Sequence, residues 1–138
     1  MDDLQRGKIE SILMDKGLAR LGDAFVNLIY SAAKTKAKGR AVGERVQDRV
    51  LSHALEIAKL PVPKRLTHGE KGDVVEAVLA YAWMHDMLPM EEAVTILYKT
   101  ISGAEYESRS LEREMSARAF SRLIRVAIER IEKVDANG

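Results

Sequence analysis

Lys71-Gly72-Asp73-Val74-Val75-Glu76-Ala77-Val78-Leu79-Ala80-Tyr81 is the stretch from which the architecture can be read. Asp73 and Glu76 are three residues apart and share one face at about 100° per residue. Ala77, Ala80 and Met84 lie on that face, Val75, Val78, Leu79 and Ala82 line the opposite one, and Tyr81 and Trp83 fill the sides. A helix apolar on nearly every side is buried over most of its circumference. Its two carboxylates are therefore carried, side by side, into partly desolvated surroundings, where like charges either raise a pKa or demand a cation. Thr67 stands three residues before Glu70, the spacing of a capping box, and sets the start of this helix near His68. The apolar pattern runs on to about Asp86.

Working outward, the hydrophobic period stays helical and no stretch alternates as a strand does. The chain reads as all-α, a compact domain of about six helices spanning residues 1–138. A short first helix takes Leu4, Ile9, Ile12 and Leu13 and ends near Gly17. The second runs from Leu18 to Ala33, with Leu21, Phe25, Leu28 and Ala32 on one face. Lys34 to Arg40, closed by Gly39, reads as an exposed turn. Val42, Val46, Val50, Ala54, Ile57 and Ala58 mark a third helix, stopped by Pro61 and Pro63. Leu88-Pro89-Met90-Glu91 opens a fifth helix that Gly103 ends, and the sixth covers Ser110 to Val134 ahead of a frayed tail.

Composition narrows the function classes. With 138 residues, 46% hydrophobic and 31% charged, the chain suits one domain and excludes a long modular enzyme. The absence of cysteine excludes disulfide scaffolds, thiolate zinc sites and a cysteine nucleophile, and it points to a reducing, cytoplasmic setting. No apolar run approaches the ~20 residues of a membrane span, and the acidic start Met1-Asp2-Asp3-Leu4 is unlike a signal peptide. Charge is unevenly spread: Lys34 to Arg65 holds nine basic residues against three acidic ones, a local +6 in a chain of net +1. Such a field recruits a polyanion. Lys34, Lys36, Lys38, Arg40, Arg45 and Arg49, then Lys64 and Arg65, are the candidate phosphate contacts, although a solvated basic face accounts for the same pattern.

A third carboxylate, Asp23, sits at the border of an apolar surface formed by Ala19, Val26 and Tyr30, beside a polar stripe of Arg20, Asn27 and Ser31. Taken singly, each of the three acids could be held by a salt bridge. Taken together, Asp23, Asp73 and Glu76 form a hard oxygen set without histidine or cysteine, which suits Mg²⁺ or Mn²⁺ rather than zinc. His53, His68 and His85 are isolated and read as structural. The methionines and Trp83 read as core filling. Glu105, Glu107, Glu112 and Glu114 read as acids complementing the dipole at the start of the last helix.

Leu21-Gly22-Asp23-Ala24, followed by Phe25-Val26-Asn27-Leu28-Ile29, resembles the signature helix of the ribonuclease III family, and Asp73-Val74-Val75-Glu76-Ala77 resembles that family's second acidic motif. The resemblance covers about Leu18 to Ile101. It implies the helical endonuclease fold, with Asp23, Asp73 and Glu76 at metal-ligating catalytic positions. It also implies a homodimer paired through the second helix, and hydrolysis of double-stranded or structured RNA to 5′-phosphate and 3′-hydroxyl ends. Many members carry a glutamate four residues before the signature aspartate; here that position is Ala19, as in the minimal, Mini-III type, which Leu18-Ala19-Arg20-Leu21-Gly22-Asp23-Ala24 resembles. No α-β-β-β-α segment follows the last helix, so an appended double-stranded RNA-binding domain is not expected.

Three rival readings stand beside this one. A catalytically inactive domain would keep the fold and the basic face, and Ala19 is the feature in its favour. An all-α nucleotide pyrophosphohydrolase is suggested by Glu70, Asp73 and Glu76, but Glu44 and Glu56 are too far apart to supply its second acidic pair. A purely structural helical dimer would pair the acids with arginines.

Overall fold

The computed structural model describes residues 9–60, 62, 65–102 and 108–137, with side chains as far as residue 134. Six helices and no strand occur among the described residues: the described part of α1 at 9–13, α2 at Lys16–Lys38, α3 at Asp48–Ala58, α4 at His68–Met84, α5 at Met90–Ile101 and α6 at Arg109–Asn137. The all-α architecture read from the sequence is the one observed.

Helix α4 is the hub. Gly72, Val74 through Ala80 and Ala82 are all buried, and the helix packs against α2, α3 and α6, while α5 joins α2 to α6 on the outside. Both halves of its capping box form: the Glu70 amide donates to Thr67 Oγ1 at 3.1 Å, and the Thr67 amide donates to Glu70 Oε1 at 3.2 Å. The helix stops at Met84, two residues short of the expected end, because the chain reverses over 85–88. There the amides of Met87 and Leu88 both reach back to the Ala82 carbonyl. Arg130 of α6 fastens this corner, donating to the Met87 carbonyl at 2.9 Å and to Glu92 at 2.7 Å.

The region after Ala33 differs from expectation. Lys34–Lys38 is not a turn but the last turns of α2, which begins on an Asp15 N-cap and ends at Gly39 in the left-handed region, φ 69°. Residues 40–47 are extended, and α3, expected to open near Val42, starts only at Asp48. The physical reason is a ladder of side chains along α2. Thr35 Oγ1 accepts from the Val42 amide at 2.9 Å and donates to its carbonyl at 3.2 Å. Ser31 Oγ does the same for Glu44, at 2.9 and 3.0 Å, and Asn27 Oδ1 accepts from the Val46 amide at 2.7 Å. Four residues of helix rise about 6 Å, and two residues of extended chain span about 6.6 Å. Positions 35, 31 and 27 can therefore serve 42, 44 and 46 in antiparallel register. Backbone groups that would have made helical bonds are satisfied by α2 instead.

Elsewhere the expected boundaries hold to within a few residues. Leu4, Pro61, Pro63, Gly103, Glu105 and Glu107 lie outside the described residues. Met14 and Met84 are more than half exposed and Trp83 is 38% exposed, so these three do not fill the core as expected. Trp83 instead lays its ring at 5.7 Å from Phe25 on α2.

Candidate functional site

Helices α2 and α4 cross in backbone contact. A Cβ placed on Gly22 would fall 2.0 Å from the Glu76 carbonyl oxygen, a separation no side chain tolerates. Gly22 thus lets Asp23 approach the acidic turn of α4. Glu76 is 6% exposed, and among the described residues its carboxylate has no hydrogen-bond or ion-pair partner. Burial pushes its pKa up to about 8, and the negative charges of Asp23, Asp73 and Asp48 push in the same direction, opposed by Arg45. A buried, unsatisfied carboxylate ringed by three others is costly unless it takes up a proton or a cation.

The neighbours of Glu76 differ in how they are held. Asp23 is half-exposed, accepts from Asn27 Nδ2 at 3.2 Å, and faces Arg45 Nη2 at 3.5 Å across an ion pair that is largely in solvent. Such a pair contributes little. Asp73 is partly buried and has no ion pair among the described residues. Asp23, Asp73 and Glu76 lie about the crossing of α2 and α4, with Asp48 beside them from the first turn of α3. In the present side-chain conformations, no three acids or histidines among the described residues are arranged to hold a metal ion, consistent with Asp23 being turned towards Asn27 and Arg45. The donor set is nonetheless suited to a hard divalent cation: carboxylate oxygens, one of them buried and without a partner.

The expected phosphate contacts divide. Lys34 is a correction: it is 1% exposed and donates to Glu44 at 2.6 Å and to Glu112. Its Nζ also lies 5.2 Å from the centre of the Tyr30 ring. Burial works to lower its pKa, but the hydrogen bonds to Glu112 and Glu44 outweigh that and hold the ammonium above its ordinary value. It is committed to the fold and cannot meet a phosphate. Glu112, in the first turn of α6 as expected, is also an ion-pair partner of Lys34. Lys36 lies over Tyr98 of α5, 5.8 Å from the ring centre. Arg40 and Arg65 are exposed. Lys64 lies outside the described residues.

Lys38 and Arg45 meet two residues that were not anticipated, Arg109 and Arg113. They share the wall of an open cleft of about 350 Å³, with Tyr30, Gln47 and Ser116 also lining it. Arg49 and Arg113 line an adjoining hollow with His53 and Glu114. Lys38, Arg109 and Arg113 have no ion-pair partner among the described residues. The signal for the α6 pair was present in its spacing: Arg109 and Arg113 are four apart and share a helix face. It was hidden because the region had been read for its glutamates. The histidines keep structural contacts, His68 with Ser52 at 2.8 Å and His53 with Glu114 at 3.0 Å.

The geometry of two acidic helices crossing at a glycine beside a cationic cleft agrees with what comparison finds. The Ribonuclease III family model matches residues 16–133. The chain belongs to the ribonuclease III family. That membership carries a ribonuclease-type function with RNA as the class of partner, and it removes the pyrophosphohydrolase reading. No curated protein matches the chain in sequence. Among the described residues, no helix is long and apolar enough to cross a membrane.

Proposed function

We propose that this protein is a metal-dependent endoribonuclease that hydrolyses phosphodiester bonds in double-stranded or structured RNA. The observation that carries the reading is the Glu76 carboxylate, buried and without a partner among the described residues, beside the charges of Asp23 and Asp73. Asp23, Asp73 and Glu76 would hold Mg²⁺ or Mn²⁺. Such an ion supplies charge neutralisation at the scissile phosphate and an acidified water as nucleophile. The chain's own residues do the rest. Asn27 orients the Asp23 carboxylate. Arg45, 79% exposed and poised between Asp23 and the cleft, can leave its weak ion pair for a phosphate oxygen. Lys38, Arg49, Arg109 and Arg113 extend the cationic track along which an RNA backbone lies, read by shape rather than by base sequence.

The reading includes a homodimer. Leu21, Ala24 and Leu28 recur at helical spacing on α2 and are exposed, Leu28 by 53%. A stripe of this kind at the family's pairing helix suits a second copy of the chain, which would align two metal sites on one duplex. A sedimentation mass of one chain would remove this part. The cysteine-free composition supports a cytoplasmic setting.

The test is a cleavage assay on duplex RNA with Mg²⁺ or Mn²⁺, run beside the Asp23→Asn, Glu76→Gln variant. The expected result is cutting by the native chain and a loss on the order of 10³-fold or more in the variant, the scale of removing a principal charge-stabilising group. Binding without cutting by both proteins would instead select the inactive RNA-binding reading.

A further inference from the structure

The ladder along α2 has three rungs, and its spacing can be carried one step further. Its members Thr35, Ser31 and Asn27 serve Val42, Glu44 and Val46 in steps of four against two. The next step pairs position 23 with position 48, and both are aspartates. Asp48 is the first residue of α3, is exposed, and has no hydrogen-bond or ion-pair partner among the described residues.

Gly72 shows where that carboxylate leads. A Cβ built on Gly72 would stand 3.6 Å from Asp48 Oδ1 and 3.9 Å from Glu76 Oε1. Two carboxylate oxygens from different helices, one of them buried and without a partner among the described residues, therefore converge within 4 Å of one point, which Leu51 Cβ walls off at 3.9 Å. A methyl group would occupy that cradle at ordinary contact distance. Helix α2 offers no second acid, because one turn to either side of Asp23 stand Ala19 and Asn27.

We propose that Asp48 is a fourth carboxylate of the metal site, delivered by the extended segment 40–47, and that Gly72 keeps open the space in which it and Glu76 share a divalent cation. The proposal rests on the metal-dependent reading above and assigns it a residue from a third helix. It also gives the extended segment a purpose: the ladder fixes the register that places Asp48, where a helix begun at Val42 would carry it elsewhere.

The experiment is calorimetric titration of the whole protein with Mn²⁺ alone, without RNA, comparing the native chain with Asp48→Asn, Gly72→Ala and Glu76→Gln, each first melted without metal. Asp48→Asn is expected to weaken Mn²⁺ binding about tenfold or more, a loss at the low end of that caused by disturbing a metal site's supporting groups. Its metal-free melting temperature should stay within a few degrees of native. Gly72→Ala is expected to weaken Mn²⁺ binding while melting no lower, since alanine is the better helix former. If the native chain binds Mn²⁺ and Glu76→Gln loses it while Asp48→Asn matches native, Asp48 serves only the α3 dipole and the inference is overturned with the metal-dependent reading intact. If the native chain shows no saturable Mn²⁺ heat, both fall.

Discussion

Among the described residues a buried lysine and a buried glutamate have opposite surroundings. Lys34 is enclosed by Glu44, Glu112 and the Tyr30 ring, so its charge is answered on every side. Glu76 is enclosed by like charges and has no hydrogen-bond partner among the described residues. The first arrangement joins α2, the extended segment and α6 into one body, since its partners lie 10 and 78 residues away in sequence. The second gains nothing for the fold and weakens the metal-free protein. A domain that satisfies one buried charge so fully has no general difficulty in doing so, and the charge it leaves unanswered marks where a ligand is expected.

That contrast predicts opposite signs for two neutralising substitutions. Lys34→Met strands Glu44 and Glu112, and we expect it to cost about 2–3 kcal/mol, at or just below the range for a broken buried pair because both glutamates keep some access to water. Denaturant unfolding would measure this, and an unchanged midpoint would break the comparison on the lysine side.

Glu76→Gln should stabilise the metal-free protein. The Glu76 carboxyl is held above its ordinary value of 4.5, at about 8. A folded-state pKa above the unfolded one contributes stability that is complete below about 4.5 and lost as the pH rises through about 8. The variant escapes that loss, so its advantage over native should grow between pH 5 and pH 9 to roughly 1–2 kcal/mol. Saturating Mn²⁺ should reverse the order by stabilising only the native chain. Thermal melts at the two pH values, with and without Mn²⁺, would read both effects, and parallel pH curves would contradict the idea.

The smallest expected effect sharpens the picture of where the free cations act. Replacing Arg109 and Arg113 by alanine should leave stability nearly unchanged. It should lower the slope of log affinity against log salt for duplex RNA by about 1 for each arginine. A slope equal to native would take the α6 end of the cleft out of the RNA path.

The sequence made some of this legible and concealed the rest for definite reasons. The capping box at Thr67 and Glu70, the apolar circumference of α4 and the i, i+3 placement of Asp73 and Glu76 are local facts, decided within a few residues, and they were readable. Lys34 was not. Its spacing from Tyr30 fits continuation of α2, but burial of a lysine depends on two glutamates from distant segments, which no local pattern announces. The segment 40–47 misled in another way: Val42, Val46 and Val50 recur every four residues as on a helix face, and only the hydroxyls and amide facing them from α2 decide for extended chain. Asn27 and Ser31 read in the sequence only as part of a polar stripe with Arg20. Asp48 went unnoticed because its place beside Glu76 depends on the packing of α3 against α4, which no local pattern announces.

The contact at Gly22 has a consequence for how this chain can change over time. Position 22 works as a gauge: its missing side chain sets how near the two acid-bearing helices can stand. Even an alanine there would act as a shim, prying Asp23 away from Glu76. A residue with no functional group of its own is thereby held fast by the spacing it allows.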